Sequence, residues 1–164
     1  MSSDRKPTPP VIESARVISY AFVDDIPYRK WGVLYVDGKL LEHVPRVAVC
    51  INLAKDIGPM LFHCDRDWNA LGVSGGATVA EAKERAEKNY PGVAARWVDV
   101  NTTAEDALKY YDEETGCLKC SFCGKRPFEI EGGWVEGNGA AICRACIETY
   151  YRTFQEPDVP EENG

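Results

Sequence analysis

Nothing in this sequence approaches the ~18 consecutive apolar residues that a bilayer-spanning helix needs, and its opening, MSSDRKPTPP, has no hydrophobic segment of the kind a secretory signal requires. These two absences create the expectation of a soluble, cytoplasmic chain with no membrane partner. Histidine is scarce: His43 and His63 are the only two. The glycine-rich stretch GVSGGATVA lacks the lysine of a phosphate-cradling loop, and Gly124-Lys125 is followed by Arg126 instead of Ser or Thr, so no nucleotide-hydrolysing motif is present. A basic excess is lacking too, the formal net charge being −7. That acidity is local. Residues 11–101 hold eleven basic and twelve acidic residues and 117–154 hold five and four, while TTAEDALKYYDEETG and QEPDVPEENG each sum to −4. Runs of this kind keep a chain soluble and are assigned no partner.

Present instead are seven cysteines in 164 residues. An odd count without a secretory signal argues against a disulfide framework, because reducing compartments keep thiols free. Clustered cysteines then suggest a metal. The length accommodates one compact domain and a small module. Residues 1–10, with three prolines and Met1 as their only apolar residue, are expected to be disordered, as is the acidic tail 155–164.

Residues 11–101 read as an α+β domain, an antiparallel sheet with one main helix. Strand-like runs are RVISYAFV, WGVLYV, KLLEHV, RVAVCINL, MLFHC and WNALGV. Asp37-Gly38 supplies a hairpin turn between the second and third, and the charged Asp65-Arg66-Asp67 a turn between the last two. The helix signals are a Thr78/Glu81 capping box, a stripe of Val79, Ala82, Ala86 and Tyr90 on one face, and Pro91-Gly92 as its stop. Such a stripe buries most economically against a sheet, with RWVDV as a closing strand. Residues 102–116 read as an acidic connector holding a short helix that starts at Thr103 and Asp106 and docks through Ala104, Leu108 and Tyr111.

Residues 117–154 carry the strongest chemical signal. Cys120 and Cys123 are followed by Cys143 and Cys146 in the pattern C-x2-C-x19-C-x2-C, the spacing of a four-thiolate zinc site. Two-residue spacing lets both sulfurs of a pair point at one ion while backbone amides orient them, and Gly124 allows the turn. A closed four-sulfur shell leaves no position for water, so the expected Zn2+ is structural and no catalytic residue is assigned. An iron–sulfur cluster, a redox dithiol and unliganded thiols are the competing readings, and Cys117, two residues before Lys119-Cys120, is an alternative ligand.

The stretch CSFCGKRPFEIEGGWVEGNGAAICRACIETYYRTF resembles the four-cysteine zinc-binding domain of the ClpX protein unfoldase, in its CSFCGK opening and its ligand spacing. The resemblance covers about thirty-five residues. It implies a treble-clef zinc finger with Cys120, Cys123, Cys143 and Cys146 as ligands, and a dimeric docking platform for other proteins, without the ATPase motor. Residues 11–101 resemble no family.

Two further features compete with blander explanations. His63, Cys64, Asp65 and Asp67 invite a second metal or a Cys–His pair, but a strand would send His63 and Cys64 to opposite faces. Cys50 reads as a small core residue. Ile147, Tyr150, Tyr151 and Phe154 form an apolar stripe at i, i+3, i+4 and i+7. It either packs against the module's own Phe128, Ile130 and Trp134 or the N-terminal domain, or forms an interface with a protein partner or with a second copy in a homodimer. The expected function is non-enzymatic protein recognition, as an adaptor. The alternatives are nucleic-acid binding through Lys119, Lys125, Arg126, Arg144 and Arg152, and a small enzyme using the N-terminal domain.

Overall fold

A computed structural model describes residues 5–30, 35–54 and 57–155. The chain divides into two compact units, Met1–Thr115 and Gly116–Gly164. The architecture is mixed α/β, with a curled antiparallel sheet and, among the described residues, three α-helices.

Unit 1 contains β1 (Val11–Ile12), β2 (Ala15–Phe22), β3 (Tyr35–Val36), β4 (Lys39–Leu40), β5 (Arg46–Asn52), β6 (Met60–Cys64), β7 (Ala70–Gly75), α1 (Val79–Asn89), β8 (Val98–Asp99) and α2 (Ala104–Thr115). Strands β1-β2-β5-β6-β7 lie side by side in that order, and β8 joins the same edge of β2 as β1. Strands β3 and β4 form a separate hairpin around Asp37 and Gly38, whose φ angles of 51° and 74° are those of a tight primed turn. Of the expected strand WGVLYV, β3 is the described end, and residues 31–34 lie outside the described residues.

Both faces of the sheet are buried at its centre, over β2, β5 and β6. Val47, Val49 and Leu61 pack with Ala82, Ala86 and Tyr90 of α1, while Ala48, Cys50, Phe62 and Cys64 point the other way, toward Trp68. Each large apolar side chain so buried contributes roughly 1.5–3 kcal/mol. Strand β2 serves both clusters because its pairing with β5 shifts by one residue between Val17 and Ser19. Ala15 and Val17 lie in the Trp68 cluster; beyond the bulge Tyr20 and Phe22 do, and Ala21 turns to α1. A bulged residue reverses the alternation that follows it.

Helix α1 starts as its sequence indicates. Thr78 Oγ1 accepts from the Glu81 amide at 3.1 Å, and the Glu81 carboxylate reaches back to the Ala77 amide at 2.8 Å, one residue beyond the cap. Its last turn ends on Tyr90, fully buried, whose hydroxyl accepts from the Val44 amide at 3.0 Å. The chain then turns at Gly92, where φ is 95°, held by the Glu87 carboxylate on the amides of Gly92 and Ala94.

Three local outcomes differ from the sequence reading. Trp68 is not in a strand: Asp65 accepts from the Asp67 and Asn69 amides at 2.7 and 3.0 Å, which lengthens the turn and places Trp68 at φ 70° with its ring in the core. Residues 5–10, expected to be disordered, are held by backbone carbonyls. Lys6 O accepts from Trp68 Nε1 at 3.1 Å and from Arg46 at 3.3 Å, and Pro10 O accepts from the Val17 amide at 3.0 Å. The helix expected in the acidic stretch forms as the twelve-residue α2, with Thr103 Oγ1 accepting from the Asp106 amide, but it belongs to unit 1 instead of serving as a connector. Ala107 is its buried residue; Leu108 and Tyr111 are half-buried and Ala104 is exposed.

His63 and Cys64 lie on opposite faces of β6. His63 faces the α1 side, where burial and then the Arg85 charge bring its pKa down to about 4; burial and Asp65 push the Cys64 thiol up to about 12. Below about pH 6.5 the unfolded chain protonates His63 while the folded chain refuses the proton until about pH 4. The stability tied to this residue is therefore complete above pH 6.5 and lost as pH falls toward 4, by up to about 3 kcal/mol. Denaturant unfolding of unit 1 followed from pH 7 to 4 should show a shallower decline for His63→Leu than for wild type; parallel curves would show that the histidine is not buried neutral.

Candidate metal centre

Unit 2 is built from a knuckle at Cys120–Cys123, a short 3-10 turn at Pro127–Glu129, a hairpin of β9 (Trp134–Gly137) and β10 (Ala140–Cys143), and α3 (Arg144–Gln155). The hairpin turns on Asn138 and Gly139 at φ 50° and 77°, the Asn-Gly turn that suits strand twist. In the knuckle, Gly124 adopts φ 71°, which lets its amide return to Cys120 O at 2.8 Å while the Cys120 amide reaches Lys125 O at 2.9 Å. Three bonds tie the knuckle to β10: the Ser121 amide donates to Ala141 O at 2.8 Å, the Ala141 amide to Ser121 Oγ at 3.3 Å and the Cys143 amide to Cys120 Sγ at 3.4 Å. Cys143 ends β10 and Cys146 sits in the first turn of α3, so hairpin and helix together deliver the second pair.

All four sulfurs lie within 4.8 Å of one another, with Cys120 Sγ to Cys146 Sγ and Cys123 Sγ to Cys143 Sγ both 3.8 Å. A tetrahedral ion with metal–sulfur bonds of about 2.3 Å requires sulfur–sulfur edges of about 3.8 Å. The donor set therefore fits a thiophilic metal ion. Cys120 and Cys143 are buried, Cys146 is half-buried and Cys123 is exposed.

Electrostatics divides the four thiols. The Cys120 thiol is brought down to about 6, chiefly because the Cys123 amide points at its sulfur, with the Cys143 and Phe122 amides adding to the effect against the cost of burial. The Cys143 amide lies 3.4 Å from that sulfur. The Cys146 thiol is pushed up to about 12, first by burial and then by the three sulfurs beside it. Ionising all four thiols this close together calls for a cation among them, so deprotonation and metal binding are linked.

The remaining candidates are placed as follows. Cys117 is outside the tetrad, its Sγ lying 3.8 Å from Leu118 O. Among the described residues no other group of three or more His, Cys, Asp or Glu could hold a metal. His43 Nε2 lies 3.0 Å from Val23 O, its ring against Tyr28 and Tyr90, in a setting separate from the buried His63. Ile147, Tyr150, Tyr151 and Phe154 are all exposed, at 38, 43, 62 and 84%, and no residue of α3 is buried. Sequence reasoning missed Phe122, between the first two ligands: it is 57% exposed and its ring centroid is 4.9 Å from that of Tyr150. The signal for it was the knuckle itself, which forces the intervening side chains outward. Of the basic residues, Arg126 pairs with Glu129 at 3.4 Å and Arg144 with Glu148 at 2.7 Å.

The fold and the tetrad define a mixed α/β protein with a C-terminal four-cysteine cluster that could hold a metal ion. No protein-family model, curated protein or solved structure matches the chain.

Serine at Cys120, Cys123, Cys143 or Cys146 should abolish stoichiometric metal and loosen unit 2, since metal binding and folding are one free energy in modules of this size. Elemental analysis of the purified variants checks this. Cys117→Ser should keep full metal content, and metal loss there would place Cys117 in the coordination shell.

Proposed function

We propose that the chain is a non-enzymatic protein-recognition protein whose C-terminal unit is a structural zinc finger of the ClpX type, with a treble-clef fold. The order knuckle, hairpin, helix supports the treble-clef reading, and the four-sulfur donor set supports zinc over oxygen-seeking ions. The observation that carries the function is the exposed face beside the metal cluster. Phe122, Ile147, Tyr150, Tyr151 and Phe154 are all exposed, and the Phe122–Tyr150 ring contact links the knuckle to the helix stripe. Aromatic side chains on the surface of a rigid scaffold are the usual anchors of protein interfaces. Nucleic acid fits this unit less well, because Arg126 and Arg144 are engaged by carboxylates.

The first partner expected on this face is a second copy, since a two-fold interface needs only one self-complementary patch. Sedimentation should give twice the 18.2 kDa chain mass, elemental analysis one zinc per chain, and Tyr151→Glu or Phe154→Glu a monomer that keeps its zinc. A wild-type monomer at micromolar concentration would remove the homodimer and leave a different protein as the occupant. Iron in place of zinc would overturn the finger assignment.

A further inference from the structure

Unit 1 carries an opening that its own packing leaves unfilled. A cavity of about 740 Å³ is bounded by Lys6–Pro9, by Val11 to Ser14, by Asp67–Asn69 and by the C-terminal half of α2. Its floor is rigid and apolar, with Val11, Ile12 and Trp68 exposed by 7, 3 and 3%. Two features of the sequence keep it open. Pro7 and Pro9 have no amide to extend a ladder past β1, and α2 buries only the small Ala107, so Tyr110 and Tyr111 remain half-buried at the wall.

The charges lining the opening are predominantly negative. Glu13, Asp67 and Glu114 are its carboxylates, and Lys6 its single cation, already 3.4 Å from Asp67. Glu114 is near enough to Tyr110 to add to the burial that raises the phenol's pKa. Helix α2 adds Glu105, Asp106, Asp112 and Glu113 against one cation, Lys109, which lies 4.0 Å from Glu113.

We propose that this groove docks an extended basic segment of a partner protein, setting an apolar or aromatic side chain against Pro7, Pro9 and Tyr110 and a Lys or Arg beside Glu13 and Glu114. Charge complementarity selects this occupant. The chain's own tail, QEPDVPEENG, is acidic and is repelled by the same carboxylates, as is any phosphate backbone. The site is independent of the aromatic face of unit 2 and goes beyond the function proposed for it.

The test uses the full-length, metal-loaded chain and a fluorescein-labelled nonapeptide with Lys and Arg on both sides of a central Phe, followed by fluorescence anisotropy. Saturable binding is expected, weakened about tenfold or more in the Glu13→Gln/Glu114→Gln double variant and by raised salt, as for complementary charged surfaces. Tyr110→Ala should weaken it as well, and Phe154→Glu should not. Thermal unfolding of the double variant should match wild type, both carboxylates being on the surface. The proposal is overturned by no saturation at millimolar peptide, or by equal binding of the peptide with Glu in place of Lys and Arg. Loss of binding in Phe154→Glu with retention in the double variant overturns it equally.

Discussion

Four cysteine sulfurs within 4.8 Å of one another can all be thiolates only if a cation offsets their charge. Two unit charges at 4 Å repel by about 4 kcal/mol at the effective dielectric of a protein surface, and a tetrad contains six such pairs. Backbone amides compensate Cys120 but leave Cys146 unsupported, so a cation is the natural completion. Everything else in unit 2 depends on that constraint. Its hairpin has four-residue strands and its helix buries no residue, which is too little apolar burial for a unit this small to hold itself together. The same cluster that closes the knuckle onto the hairpin also frees α3 from core duty, and its aromatic stripe stays on the surface as a result.

Unit 1 solves a different problem with one bulge. A strand with buried residues on both faces normally reads as a continuous apolar run, yet β2 alternates buried and half-buried residues throughout. The shift at Ile18 makes both patterns true: each half of the strand alternates, but toward different clusters. Ser19 is the cost, a buried hydroxyl without a partner among the described residues. On the second face, the φ of 70° at Trp68 is imposed by the Asp65 carboxylate, a strain of order 1–3 kcal/mol that is offset by the ring's burial and its bond to Lys6 O.

These two features mark the boundary of what sequence could tell. Helix α1 was legible down to its cap because Thr78 and Glu81 act over three residues and its stripe repeats on one face. The sulfur tetrad was legible because ligand spacing is a local property of each knuckle. The bulge was not, since strict alternation over RVISYAF gives no sign that the face changes midway. The order of residues 5–10 was also invisible: besides the pairs of Arg5 with Asp24 and Lys6 with Asp67, the carbonyls of Lys6 and Pro10 hold them, and composition does not report backbone bonds. The helix of the acidic stretch was legible from Thr103 and Asp106, but its docking face was misjudged, since Ala107 and not Ala104 is its buried residue; Phe122 was overlooked because a residue between two ligands is easily counted as spacing.

The topology also sets an order of events at the ribosome. Strand β2 lies near the start of the chain, yet Ser19 and Tyr20 pair along their outer edge with Asp99 and Val98, about 80 residues later. At synthesis rates of roughly 5–20 residues per second, that edge waits on the order of 4–16 s for its partner. During that interval the β5 side can already be satisfied while the outer backbone groups of the strand face solvent or a chaperone. Closure of the sheet is therefore a late step in the birth of the molecule, governed by translation speed as much as by any contact within the finished fold.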